Sequence, residues 1–507
     1  MIYRLKLVGI LLTFIAFLNV KGQIKVPPDA ASAESKELNV KANGFKGIWY
    51  ECCGPRSDNG EYIYKYSGGM ATYTTKHRPL AIYSEKANKT YFCFGGTDDK
   101  NSTLLHNVSY FDHATGKVAN PTVILDKKTT DAHDNPVISM DDRGYIWIFS
   151  TSHGTSRPSY ISRSSEPYGI EKFIRINATE IIRRKKQPFS NFSYMQIWYI
   201  KDHGFMGIFT RYGVQGGGRV IGFNTSKNGI EWNEWKVIAN IEEGHYNVSR
   251  ENNGKISVAF NYHPNVTKVI GTSLGFDGQG MAGGNWRTNL YYLETTNFGK
   301  NWQTASGEKV QLPLTYPENP ALVKQFENEG LLCYVKDINY DEKGNPIVLL
   351  LSSKGYQSGP QNDPRTWEIF YFNDNKWNNH KITTSGNNYD VGELYIEING
   401  IWRLIAPTEP GRQPYNPGGE VAIWKSTDRG SSWQKEKQIT INSPKNHTYV
   451  RRPVNAQPAF YAFWADGHAR KQSESSLYFC DIDGNVFKLP RKTTDSMITP
   501  SLMTFDK

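Results

Sequence analysis

The chain has 507 residues, 13% of them aromatic, with 45 glycines and a formal net charge of +10. That length suits several small domains or one large modular β fold, and abundant Tyr, Phe, Trp and Gly favour short strands joined by tight turns. The composition argues against three classes: no Lys/Arg-dense stripe marks a nucleic-acid surface, five scattered cysteines do not make a disulfide framework, and no Cys-x-x-Cys pair suggests a zinc ribbon.

The N-terminus opens with Arg4 and Lys6, continues with an apolar run over 7–18 and reaches Lys21-Gly22 before Gln23. This pattern predicts a signal peptide over 1–22, and its apolar run is too short for a comfortable membrane span. No second apolar run of membrane length follows, so the mature chain is expected to be soluble and secreted or periplasmic. Removing Arg4, Lys6 and Lys21, with no acid among those 22 residues, lowers the charge from +10 to +7. A basic exported protein suits an acidic partner, and a polyanionic glycan fits that setting better than nucleic acid. Residues 23–45 are polar, carry Pro27-Pro28 and read as a lead-in segment. Residues 46–507 read as a single catalytic domain.

From there the chain repeats one unit: an apolar run, a turn, and a second apolar or aromatic run. Copies span 79–95, 136–152, 195–212, 246–262, 321–353, 394–407 and 453–466. Seven units point to radial repetition, an all-β seven-bladed propeller with about four strands per blade. A second pattern occurs three times: Ser226-Lys227-Asn228-Gly229-Ile230-Glu231-Trp232, Thr296-Asn297-Phe298-Gly299-Lys300-Asn301-Trp302 and Thr427-Asp428-Arg429-Gly430-Ser431-Ser432-Trp433. It resembles the Asp-box, or BNR, repeat of sialidase-type propellers. The logic is structural: the acid or amide closes a turn, Gly takes a positive φ and Trp anchors the hairpin.

The second unit holds the strongest functional signal. Asp131-Ala132-His133-Asp134-Asn135 precedes one strand, Asp141-Asp142-Arg143-Gly144 turns the chain, and Thr151-Ser152-His153-Gly154 follows the return strand. The turn closes one end of the hairpin, so His133 and His153 meet at the other. Equivalent hairpin ends in the next two units bring Tyr194, Arg211 and Tyr212, then His245, Tyr246, Arg250 and His263. Such ends converge on one propeller face, giving a site of His, Tyr and Arg with few carboxylates. A glycosidase normally needs two carboxylates. A His/Tyr/Arg site instead suits proton abstraction beside a carboxylate, with Arg neutralising that carboxylate and His or Tyr moving the protons. This is β-elimination on a uronic acid.

The segments around His133, His153, Tyr194, Arg211 and His245-Tyr246, with Pro417-Gly418-Gly419-Glu420 before the last Asp box, resemble the BNR-4-type propeller and the seven-bladed ulvan lyases of polysaccharide lyase families 24 and 25. The resemblance runs from about residue 45 onward. It implies cleavage of ulvan, a sulfated rhamnose–uronate polysaccharide. It also implies His133 and Tyr194 as base and acid, with His153 supporting them, Arg211 as the carboxylate-neutralising residue and Tyr246 as a substrate contact. Arg219 is a rival to Arg211. His245, Asn135, Arg219 and Arg250 complete the expected substrate-binding set, Arg250 reading more readily as structural. Relatives of this kind hold a structural zinc through His and Cys. The remnants here are His263 and Cys333, two ligands that do not make a site. The chemistry requires no cofactor, structural calcium or zinc being the only metals entertained, and a monomer is expected. Two other readings are a sialidase-like BNR hydrolase and a non-catalytic glycan-binding propeller.

Overall fold

Seven antiparallel sheets follow one another along the chain. The computed structural model describes residues 35–52, 61–62, 64–70, 76–213, 219–264 and 285–505; the expected signal peptide lies outside them. Each sheet begins with a hairpin built from one of the repeated units. These hairpins are Ala81–Ser84 with Lys89–Gly96, Pro136–Met140 with Ile146–Ser150, and Ser193–Ile200 with Gly204–Arg211. Then come His245–Asn252 with Lys255–Tyr262, Leu332–Tyr340 with Pro346–Ser353, Glu393–Ile396 with Trp402–Glu409, and Asn446–Arg451 with Ala462–Gly467. The sequence-predicted seven-bladed propeller is thus the observed fold.

Burial falls outward along each blade. Leu332–Tyr340 and Pro346–Ser353 of blade five are buried throughout, whereas its fourth strand, Lys376–Ser385, alternates between covered and exposed positions. Gln434–Gln438, the last strand of blade six, is almost wholly exposed. Strands covered on both faces need continuous apolar runs, and strands at the rim do not. Large side chains such as Trp147, Trp367, Trp402 and Trp464 are fully buried in the core. At the inner ends of the blades, Arg78 pairs with Asp337 at 2.9 Å and Glu393 at 3.3 Å, Arg451 with Glu393 at 3.0 Å, and Arg452 with Asp337 at 3.0 Å. These nearly inaccessible groups tie blades one, five, six and seven together.

Both ends of the described chain close on blade one. Lys36–Lys41 pairs with Thr122–Asp126, so the expected lead-in segment contributes a strand to the propeller. Near the other end, Met497–Ile498 pairs with Lys117–Ala119 of blade one while Ser501–Leu502 pairs with Val486–Lys488 of blade seven. Two smaller pieces lie outside the seven sheets. The ribbon of Tyr50–Cys52 and Tyr66–Gly68 precedes blade one, and the hairpin of Thr179–Ile182 and Lys185–Pro188 joins Glu231–Glu234. Cys93, Cys333 and Cys480 are buried free thiols, and Cys52 is disulfide-bonded. Among the described residues no helix is long and apolar enough to cross a membrane.

The three Asp boxes do the structural work expected of them, with one correction. In the first, the Gly229 amide donates to Ser226 Oγ at 2.9 Å, as the motif suggests. In the others the accepting hydroxyls are Thr295, at 3.0 Å from the Gly299 amide, and Ser426, at 2.8 Å from that of Gly430, rather than Thr296 and Thr427. The extra residue before Gly in those two boxes moves the anchor one place back. Gly430 has φ +80°, and a Cβ there would lie 2.6 Å from Ile369 and 2.8 Å from Trp402. Gly400 has the same φ but open space around it. We therefore expect Gly400→Ala to lower unfolding stability by about 1 kcal/mol and Gly430→Ala by about 2–4 kcal/mol. Urea melts of the two variants check this; equal losses would show that the Asp-box glycine matters only for backbone conformation.

Candidate active site

The blade-two hairpin brings its two histidines together as its turn requires. Asp141 Oδ1 accepts the amides of Arg143 and Tyr145, which holds the turn at the far end. At the open end, the Asn135 carbonyl accepts the Thr151 amide at 3.2 Å and hydroxyl at 2.8 Å. The imidazoles of His133 and His153 stack there with centroids 4.3 Å apart and planes 24° from parallel.

One carboxylate serves both rings. Asp131 Oδ1 lies 2.6 Å from His133 Nδ1, and Oδ2 lies 3.3 Å from His153 Nδ1. Arg157 holds that carboxylate, donating from Nη2 to Asp131 Oδ2 at 2.8 Å and from Nε to Asp134 Oδ2 at 2.8 Å. Asp134 in turn accepts the His153 amide at 2.7 Å. The other edge of His133 faces the N-terminal ribbon: Nε2 is 2.6 Å from the Tyr66 hydroxyl, while Tyr50 OH is 3.1 Å from Nδ1. His133 is buried, whereas the His153 side chain keeps 35% of its surface exposed. Burial pushes the His133 pKa down, opposed by Asp131, and so favours the neutral ring. For Asp131, burial works against ionisation, but the two histidines hold its carboxyl well below the usual range.

Tyr194 reaches the histidines through a distortion of its strand. The pairing of Ser193–Ile200 with Gly204–Arg211 shifts register between Ser193 and Gln196, and Tyr194 has φ +53°. An aromatic residue there is strained, and bulges of this kind re-aim side chains beside active sites. Its ring lies 6.3 Å from His133, 6.0 Å from His153 and 5.4 Å from Tyr246, centroid to centroid. Burial raises its phenol pKa well above the ordinary value, so it stands as a proton donor.

The arginines differ from expectation. Arg211 points away from the histidines into a buried ion pair with Glu180 at 2.5 Å and lies over Phe209 and Trp235. Its charge is spent on the Thr179–Ile182 strand. Arg219 takes the position beside the cleft: its guanidinium lies 5.5 Å from the Tyr246 ring, and the nearby Tyr246, Tyr212 and Tyr194 phenols favour its charged form. Among the described residues Arg219 forms no ion pair with a carboxylate. Arg287, absent from the sequence-based set, lies 4.1 Å from the Tyr246 ring centroid.

Of the other expected contacts, His245 and Arg250 engage groups of the fold. His245 accepts the Ile241 amide at Nε2, 2.8 Å away, and its Nδ1 faces the Asn261 carbonyl at 3.0 Å; burial lowers its pKa to about 4. Both ring nitrogens are thus committed to backbone. Arg250 lies further along the same strand, among Arg452, Asp337, Tyr340 and Glu393, and burial lowers its pKa to about 10. Asn135 uses its carbonyl to close the hairpin.

The expected metal-ligand remnants are both buried. Among the described residues His263 is buried with no hydrogen-bond partner at either ring nitrogen, and burial raises the Cys333 thiol well above its ordinary pKa. Two such donors do not complete a tetrahedral zinc site among the described residues. Asp131, His133 and His153 present ligand atoms within 4.8 Å of one another. There the Arg157 guanidinium already occupies the carboxylate, and its charge opposes a second cation.

Sequence reasoning missed Asp131, Arg157, Tyr66, Tyr50 and Arg287. Only Asp131, two residues before His133, carried a local signal.

The chain's similarities fit this architecture. A curated ulvan lyase from Nonlabens ulvanivorans is 25% identical over 336 residues, covering 61% of this chain and 66% of the relative, just under two thirds. An ulvan lyase from Alteromonas sp. (strain LOR) is 21% identical over 479 residues, covering 86% of this chain and 90% of the relative. The solved structure of a polysaccharide lyase PL25 ulvan lyase superposes with a TM-score of 0.63 at 17% identity, covering 88% of this chain and 96% of that one. A second such structure, bound to -[GlcA(1-4)Rha3S]-, has a TM-score of 0.62 at 16% identity, with the same coverage. The family model described as "BNR repeat-containing family member" matches residues 112–385, more than half of the chain, and this protein therefore belongs to the BNR repeat-containing family.

Proposed function

We propose that this protein is a polysaccharide lyase that cleaves a sulfated uronate polymer of the ulvan type by β-elimination. The observation that carries the reading is Arg219, with no carboxylate partner among the described residues, facing the Tyr194–Tyr246 pair beside two histidines on one carboxylate. The cleft's own acids, Asp131 and Asp134, are both bound to Arg157, which disfavours the paired free carboxylates of a hydrolase. The named relatives and the uronate-containing fragment bound to a PL25 enzyme support the same reading.

In this scheme the substrate carboxylate lies on Arg219, which stabilises the negative charge that develops when the neighbouring C5–H is lost. A neutral imidazole takes that proton. The C5–H electron pair forms the C4–C5 double bond, the C4–O bond breaks, and the Tyr194 hydroxyl protonates the departing oxygen. No step needs a metal. We further propose that the chain is exported, as its N-terminal pattern suggests, and meets the polymer outside the cytoplasm.

Mixing the protein with ulvan and with unsulfated uronate polymers, and following ultraviolet absorbance, tests the reaction. Ulvan should give unsaturated, absorbing ends, and chelator-treated protein should work equally well. Cleavage without absorbance would establish a hydrolase, and binding without cleavage a glycan-binding propeller. Tyr194→Phe and His153→Ala should each lower kcat by about 10²–10⁴-fold while polymer binding persists.

Arg219→Lys should lose much of kcat with stability unchanged, because a single ammonium does not reproduce the planar fork. Arg211→Gln should instead cost about 3–5 kcal/mol of stability by stranding buried Glu180. Kinetics and thermal melts of the pair separate the roles; the opposite pattern would return the neutralising role to Arg211.

A further inference from the structure

We propose that Asp131 is the positioning residue of the cleft, one carboxylate that fixes His133 and His153 together as Nδ1–H tautomers. A bare Nδ1 lone pair 2.6 Å from a carboxylate oxygen would be repelled, so the His133 proton sits between Nδ1 and Asp131 Oδ1. The Tyr50 hydroxyl, at 3.1 Å, is the weaker neighbour of the same nitrogen. The second oxygen lies 3.3 Å from His153 Nδ1 and is steadied by Arg157 at 2.8 Å.

The consequence is directional. With both protons held at Nδ1, each ring carries its lone pair on Nε2. For His133 that lone pair accepts the Tyr66 hydroxyl at 2.6 Å, so its basic atom is covered by a phenol. His153 is the more exposed ring. On the lyase reading, on which this assignment of roles rests, His153 Nε2 is the atom that takes the substrate proton. His133 presents its basic nitrogen to Tyr66 and stacks on His153 with ring centroids 4.3 Å apart. Asp131 never touches substrate.

Among the described residues the charged and titratable groups facing this unit include Arg157, Asp134, Lys127, Lys65, His77, Tyr50, Tyr66, Tyr194 and Tyr212. Asp131 is the carboxylate that favours the charged form of His133, and deleting its charge leaves only Asp134 against the neighbouring cations, so the His133 titration should move to lower pH.

The test uses the mature protein with ¹⁵N-labelled histidine. Long-range ¹H–¹⁵N spectra above the titration range should show both His133 and His153 as Nδ1–H. In Asp131→Asn the amide accepts from one ring only and turns its NH₂ to the other, so one ring should change to Nε2–H. With ulvan, kcat should fall about 10²-fold or more, KM should stay within about threefold, and the acidic limb of the pH–rate profile should move down. Finding Nε2–H on either ring of the unaltered protein would overturn the proposal without any variant. So would an Asp131→Asn protein, folded by circular dichroism, that keeps both tautomers and its kcat. If the unaltered protein shows both Nδ1–H tautomers but leaves ulvan intact, the lyase reading fails and the positioning assignment stands.

Discussion

The constraint on which the rest depends is closure of the ring. Seven twisted sheets can surround an axis only if the innermost strand of each enters from the same side, so every hairpin leaves its open end on one face. Polar residues more than a hundred positions apart in sequence then meet without any long-range motif. Closure also has a cost at the inner ends of the blades, where Arg78, Arg451 and Arg452 share Asp337 and Glu393 away from water. Removing one member of such a network strands its partners, so these arginines belong to the frame. The same distinction separates Arg211, whose guanidinium pairs with buried Glu180 at 2.5 Å, from Arg219, which has no carboxylate partner among the described residues.

Local strain and shared ligands do the finer positioning. The register shift at Tyr194 turns an inner-strand side chain toward the histidines at the expense of an unfavourable φ. Tyr449, at the corresponding shift in blade seven, has φ +61°, but its hydroxyl donates to the Ser67 carbonyl at 3.3 Å. The same distortion thus recurs in two blades, and what surrounds each ring decides what its hydroxyl meets. Asp131 economises in the same way, one side chain meeting two imidazoles while Arg157 donates to its second oxygen.

Much of this was legible in the chain. The turn-centred units fall on the inner hairpins because turn chemistry and apolar runs are local. His133 and His153 were legible as a pair for the same reason, since a four-residue turn dictates what lies at the other end. The Asp boxes were readable in purpose and misread by one residue in two copies, because a pattern written from Gly outward does not reveal which of two adjacent hydroxyls bonds its amide. The Arg211 ion pair was not legible because its partner, Glu180, sits on an inserted strand 31 residues earlier with nothing in sequence to announce the contact. Tyr66 was invisible because the ribbon that carries it lies outside the repeat altogether. The backbone contacts of His245 were not legible because an imidazole that accepts a backbone amide looks, in sequence, like one that faces a ligand.

The most direct measurement is a crystal structure of the Tyr194→Phe protein with a bound ulvan oligosaccharide. The uronate carboxylate should lie on the Arg219 guanidinium at about 3 Å, with the C5 hydrogen directed at His153 Nε2. A carboxylate held elsewhere, or a sugar whose C5 faces neither histidine, would contradict the elimination chemistry assigned to this cleft.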